Sequence, residues 1–111
     1  MTNIEKLQLV WEAKDILAVK NMFTEDTVMM VHHENKVLNG KEVFETLDKM
    51  VNDGKTKSSD FRIIFENDEC TVTFERISSQ FFGGKVTIIH LWRGDQIHHM
   101  EISLIKDNIK K

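Results

Sequence analysis

The side chains best suited to acid–base chemistry are the five histidines, of which His98 stands among apolar residues of a predicted strand. Burial disfavours the charged form of an imidazole, and a neutral imidazole can act as a general base near physiological pH. Arg76 is predicted on the same sheet face, where a fixed positive charge could hold an anion or stabilise an enolate-like oxygen. Each residue also has a structural interpretation: His98 as a hydrogen-bonded strand residue, and Arg76 as the ion-pair partner of Asp15 or Asp26.

The other histidines form adjacent or cross-strand pairs. Neighbouring residues of a strand point to opposite faces, so only one of His32 and His33 can face the interior. The sequence does not decide which of the two does so, and His33 is included in the candidate pocket. His90 and His99 could meet across the last hairpin beside Glu101, but such a trio is an incomplete metal site. Polar contacts within a dimer interface explain it better, and we predict no metal ion and no cofactor.

Composition excludes several classes of protein. At 111 residues, the whole chain (1–111) is expected to form a single domain. A net charge of -3 with scattered basic residues argues against a nucleic-acid surface. No apolar run is long enough for a membrane span, and the N-terminus lacks a signal-peptide pattern, so we expect a cytoplasmic protein. The single cysteine, Cys70, cannot form an internal disulfide and is expected to be a buried structural residue.

The first half of the chain is predicted to be mainly helical. Thr2 and Glu5 have the spacing of a capping box, and apolar residues recur at helical spacing as far as about Phe23. Val28–Val31 is predicted to be a short strand. Asn39 is expected to cap a second helix, which ends near Gly54.

The second half is predicted to be a four-stranded meander with turns at Asn67-Asp68, Gly83-Gly84 and Gly94-Asp95. These turns place the candidate pocket on the inner face, with Trp11 and His33 contributed from the first half. The predicted pocket residues are Trp11, His33, Phe61, Phe74, Ser78, Gln80, Leu91 and Met100, together with His98 and Arg76. The opposite face would be an apolar interface that includes Ile88, His90, Trp92, His99 and Glu101. A single bulge in either long strand would exchange the two faces.

Three segments resemble the nuclear transport factor 2-like superfamily, and most closely its SnoaL-like group. They are Asp15-Ile-Leu-Ala-Val-Lys-Asn-Met-Phe-Thr-Glu-Asp26, Leu38-Asn-Gly-Lys-Glu-Val-Phe44 and Trp92-Arg-Gly-Asp-Gln-Ile97. The resemblance extends from about Glu5 to Lys106. It implies an α+β fold in which a cone-shaped, curved, mostly antiparallel sheet wraps around N-terminal helices. It also implies a small apolar molecule inside the cone and, often, a homodimer through the outer sheet face.

The residues leave two function hypotheses. Ketosteroid isomerase-like members of the superfamily use a tyrosine and a protonated aspartate as oxyanion donors. This chain has no tyrosine, and the strand from Val86 to Trp92 has no aspartate. The favoured hypothesis is therefore a SnoaL-like protein that binds a small hydrophobic molecule without the usual catalytic residues. The alternative is a cofactor-independent isomerase, lyase or cyclase with His98 as general base and Arg76 as anion stabiliser.

Overall fold

A computed structural model describes residues 1–54, 56–80 and 83–107. The first predicted helix is present but broken in two: α1 spans Asn3–Glu12 and α2 spans Ile16–Asn21. Thr2 and Glu5 form the expected capping box at the start of α1. The break occurs because Lys14 adopts a left-handed φ of 56°, after which the Asp15 carboxylate accepts a hydrogen bond from the Ala18 backbone N–H and starts α2.

The first strand is longer than predicted and is followed by a second one. β1 spans Phe23–Val31, a 3₁₀ turn covers His32–Glu34, and β2 spans Lys36–Asn39. The helix α3 then spans Lys41–Val51. Its N-cap position is Gly40, not Asn39, and the Glu42 carboxylate accepts a hydrogen bond from the Asn39 backbone N–H at 3.3 Å.

The four later strands complete one sheet. β3 spans Lys57–Glu66, β4 Cys70–Ser78, β5 Gly83–Arg93 and β6 Gln96–Lys106. The strand order is β2-β1-β6-β5-β4-β3, and every pairing is antiparallel except that of β1 with β6. Within the described part of the chain, no helix is long and apolar enough to cross a bilayer.

The face of the sheet that packs against the helices is here called the inner face. Its buried residues join buried residues of all three helices in one core. From the sheet they include Phe23, Met29, Val31, Val86, Trp92, Ile97, Met100 and Ile102, and from the helices Ile4, Leu7, Val19, Val43, Leu47 and Val51.

The predicted face assignment of β4 and β5 is wrong because a bulge between β5 and β6 reverses it. The turn predicted at Gly83-Gly84 is also wrong, since Ser78 lies opposite Gly83 and Thr71 opposite His90, but this change keeps the same residues of β4 and β5 on one face. Gly84 is a strand residue that pairs with Ile77 and Lys106, and a Cβ there would lie only 2.8 Å from Leu104 Cδ1. The turn at Gly94-Asp95 is confirmed, but the register between β5 and β6 then shifts by one residue near His98. Phe81, predicted on the outer face, and Phe82, predicted to pair with Lys85, lie outside the described residues.

The outer face carries an unbroken row of side chains across all six strands, here called the outer stripe. Because directly paired residues share a face, the register places its six members side by side. In order from β2 to β3 they are Val37, Met30, Glu101, Ile89, Val72 and Phe65. Val37 and Phe65, at the two ends, are 55% and 50% exposed. Glu101 is the one charged member, and it lies between Met30 and Ile89.

Candidate functional site

His98 and Arg76 do not form a joint site. Arg76 lies on the outer face of β4, where Nη2 of its guanidinium is 3.5 Å from Oδ2 of Asp107. Arg76 pairs with Lys85 on β5, and Lys85 pairs with Ile105 on β6. Ile105 is seven residues from His98, which corresponds to roughly 23 Å along the strand. His98 lies at the irregular start of β6, near Asp26. The two side chains therefore cannot act on one substrate atom, although the ion-pair interpretation of Arg76 holds with a different acid from those named.

The other predicted pocket residues are also scattered. Met100 is buried on the inner face, and Trp11 packs half-buried against the core. Leu91 and Phe74 lie on the outer face because their neighbours in register belong to it. The rest are peripheral: His33 is in the 3₁₀ turn, Phe61 is half-buried on β3, and Ser78 and Gln80 are exposed at and beyond the end of β4.

The predicted dimer residues divide between the two faces. His99 and Glu101 lie on the outer face as expected. Ile88, His90 and Trp92 instead face the helices, and His90 and Trp92 are only 3% and 4% exposed. The bulge near His98 is the physical cause, since one extra residue reverses the alternation of every residue beyond it.

The inner face holds a buried polar group, here called the inner cluster, formed by Thr71, His90 and Trp92. Thr71 on β4 lies directly opposite His90 on β5, and Trp92 follows two residues later on the same face. The Trp92 indole N–H donates to Thr71 Oγ1 at 3.1 Å, and Thr71 Oγ1 lies 3.0 Å from His90 Nδ1. The two rings stack with their centroids 6.2 Å apart. One hydroxyl thus links both aromatic residues.

Burial lowers the pKa of His90 from 6.5 to about 4, and a hydrogen bond with Thr71 offsets this only in part. The imidazole is consequently neutral at physiological pH. It can exchange hydrogen bonds, but it neither carries a charge nor has the near-neutral pKa that suits a general base.

A second polar group, here called the outer cluster, lies on the opposite face. Glu101 accepts hydrogen bonds from His32 at 2.7 Å and from His99 at 2.9 Å, one on each carboxylate oxygen, and both imidazoles donate through Nε2. These hydrogen bonds, that of His99 first, lower the pKa of Glu101. The predicted trio of His90, His99 and Glu101 is therefore corrected: His32 from the 3₁₀ turn takes the place of His90.

The sequence contained a signal for the inner cluster that the register error concealed. Val86, Ile88, His90 and Trp92 alternate in one phase, and this phase includes Trp92, the largest side chain of β5. His32 had no comparable signal, because its approach to Glu101 depends on the parallel pairing of β1 with β6.

Two surface depressions are open to solvent and lie away from the inner cluster. One, of about 480 Å³, is lined by the C-terminal end of α3 and the residues after it. The other, of about 410 Å³, lies between α1, α2 and the turn that joins β5 to β6. Among the described residues, no group of three or more His, Cys, Asp or Glu side chains is arranged to hold a metal ion.

Comparison with known proteins identifies the fold. No protein-family model and no curated protein matches the sequence. A proposed ketosteroid isomerase from Kribbella flavida matches with a TM-score of 0.79 and 4% identity, over 98% of this chain and 79% of its own. A nuclear transport factor 2-like protein of unknown function from Cytophaga hutchinsonii gives 0.69 and 11%, over 95% and 87%. A proposed isomerase from Rhodopseudomonas palustris gives 0.68 and 5%, over 94% and 90%.

The α+β architecture, with N-terminal helices against one curved six-stranded sheet, agrees with these structures. At such low identities the likeness establishes the fold alone. The predicted fold is confirmed, and the chain has the nuclear transport factor 2-like fold; the resemblance to the SnoaL-like group stays a prediction.

Proposed function

We propose that the protein binds a small, largely apolar molecule on the inner face of its sheet, with the inner cluster as its polar anchor. The observation that carries this proposal is the placement of Thr71, His90 and Trp92 among apolar core residues. Polar groups are costly to bury and are unnecessary for packing, since apolar side chains of similar volume would fill the same space. Small-molecule sites characteristically combine an apolar lining with a few convergent polar groups.

The charge state of the cluster indicates the class of ligand. His90 is neutral because burial lowers its pKa, so the anchor offers hydrogen bonds without a formal charge. A neutral molecule with a carbonyl or hydroxyl group on an apolar skeleton matches such a site. Because the three side chains are nearly fully buried, the ligand must displace the side chains that cover them.

The test is equilibrium binding of 4-androstene-3,17-dione, an apolar cyclic ketone, followed by Trp92 fluorescence in a Trp11→Phe background. Trp11 and Trp92 are the two tryptophans of the chain, so the remaining signal comes from the inner cluster. Thr71→Val should weaken binding about tenfold, the equivalent of one lost hydrogen bond. Thr73→Val, matched in size and burial, should leave binding nearly unchanged. Equal affinity in the two variants, or no binding of this probe, would contradict the proposal.

Isomerisation is the second candidate, because two proteins of similar fold are named as proposed isomerases. His90 would have to carry the transferred proton, since His98 and Arg76 are too far apart to share a substrate. A base with a pKa of about 4 would be largely unprotonated but weak. Conversion of 5-androstene-3,17-dione to its conjugated isomer, measured by ultraviolet absorbance, should therefore not exceed the rate without protein. A rate that His90→Asn abolishes would favour the enzyme instead.

We also propose that two copies of the chain associate through the outer stripe. Five of its six residues are apolar, and both ends are about half exposed in the single chain. Exposed apolar patches of this kind usually mark an interface. In sedimentation experiments the Val72→Glu variant should be monomeric, because Val72 lies within the outer stripe and not at either of its ends. Leu17→Glu on α2, where the wild-type side chain is 72% exposed, should leave the dimer intact. A dimeric Val72→Glu variant would exclude this interface.

A further inference from the structure

The outer cluster occupies a position where a charge is costly to the proposed dimer. Glu101 is the only charged residue of the outer stripe, and its direct neighbours in register are Met30 and Ile89. With both imidazoles neutral, Glu101 gives the cluster one negative charge. The cluster is partly open in the single chain, since the side chain of Glu101 is 31% exposed.

We propose that the outer cluster makes association of two copies pH-dependent, with a tighter dimer near pH 6 than near pH 8. This inference rests on the proposed dimer through the outer stripe. It concerns the regulation of that interface and is independent of any ligand on the inner face.

Symmetry and desolvation supply the reason. A twofold axis pairs the same surface of both copies, so it places one stripe on the other and brings two Glu101 carboxylates into one interface. Like charges repel there, and the loss of water makes each charge more costly. When either imidazole takes up one proton, the net charge of the outer cluster becomes zero. Dimer formation is then coupled to proton uptake by the cluster.

Other charged groups near the cluster do not reverse this sign. The 3₁₀ turn contributes His33 and Glu34, whose atoms Nε2 and Oε2 are 3.7 Å apart, and Lys36 on β2 lies 3.4 Å from the other Glu34 oxygen. These three groups interact with one another. On β1 and β5, the residues paired with Glu101 and His99 are Met30, Val28, Ile89 and Leu91, and none of them titrates.

Linkage sets the size of the effect. Each proton taken up on association changes the dissociation constant by at most tenfold per pH unit, and a symmetric dimer contains two clusters. Partial uptake over the range from about pH 8 to about pH 6 should therefore tighten the dimer by roughly tenfold or more.

The test is sedimentation equilibrium of the full chain at about pH 8 and about pH 6, at constant ionic strength. Wild type should show the roughly tenfold tightening at the lower pH. Glu101→Gln removes the charge with little change in shape, so its dimer should be tight at both pH values. His33→Gln, a neighbouring histidine outside the cluster, should retain the wild-type dependence.

Each contrary result has a distinct meaning. A wild-type dimer of equal strength at both pH values would overturn this inference and leave the interface standing. The same pH dependence in Glu101→Gln, or its loss in His33→Gln, would also overturn it. Monomers at both pH values would overturn the interface and this inference together, but would leave the proposed ligand site unaffected.

Discussion

Replacing Thr71 by valine should destabilise the protein far more than the loss of one surface hydroxyl would. Valine has nearly the same shape, but it removes the acceptor of the Trp92 indole N–H and the hydrogen-bond partner of His90 Nδ1. Both groups are buried, and each buried polar group left without a partner costs about 1–3 kcal/mol. The added methyl group recovers up to about 0.8 kcal/mol. We expect a net loss of about 2–4 kcal/mol in the free energy of unfolding.

Urea unfolding near neutral pH, monitored by far-ultraviolet circular dichroism, measures this loss. Thr73→Val is the matched control: Thr73 is buried on the same strand and face, and it lies opposite Ile88 instead of a polar side chain. That variant should change the free energy of unfolding by less than about 1 kcal/mol. If Thr71→Val costs no more than Thr73→Val, the hydrogen bonds of the inner cluster contribute nothing measurable and the reasoning is refuted.

Three further outcomes follow from the structure. The pKa of His90 falls from 6.5 to about 4 on folding, so the folded state binds fewer protons than the unfolded state between these two pH values. The free energy of unfolding should therefore fall by roughly 3 kcal/mol as the pH is lowered through that range. Unfolding of His90→Asn, measured as a function of pH, should lack this part of the acid sensitivity. Gly40→Ala should lower the free energy of unfolding by about 1–3 kcal/mol, because Gly40 has a φ of +48° and an added Cβ would lie 3.2 Å from the Glu25 carbonyl oxygen. A thermal unfolding curve equal to that of wild type would contradict this. Trp92→Glu should unfold the chain and not merely separate a dimer, since Trp92 is in the core. If circular dichroism and sedimentation show a folded, monomeric Trp92→Glu variant, the assignment of Trp92 to the inner face is wrong.

Local signals in the sequence predicted the elements well. The Thr2 and Glu5 capping box, the second predicted helix (α3) and the Gly94-Asp95 turn each depend on residues close together in the chain. The break at Lys14 was missed because a left-handed residue without glycine leaves no compositional mark. β2 was missed because its four residues, of which only Leu38 is half-buried, carry no strong alternation.

The candidate site depended on register, which the sequence did not determine. β5 is apolar on both faces, since Ile89 and Leu91 alternate with Ile88 and Trp92, and in β4 the apolar Val72 and Phe74 alternate with Thr71 and Thr73, which are small enough to be buried. Either phase could therefore cover the helices. The bulge near His98 decided which phase did so: it left His98 at the irregular start of β6 and placed His90 in the core.

The most direct test of the proposed ligand site is a two-dimensional ¹H–¹⁵N NMR titration that follows the indole N–H resonance of Trp92. This proton is held by Thr71 Oγ1 within the inner cluster. If 4-androstene-3,17-dione binds there, the Trp92 indole resonance should shift in a saturable way, while the Trp11 indole resonance shifts less. A saturable titration that leaves the Trp92 resonance in place would show that the molecule binds elsewhere, and would contradict the assignment of the inner cluster as its anchor.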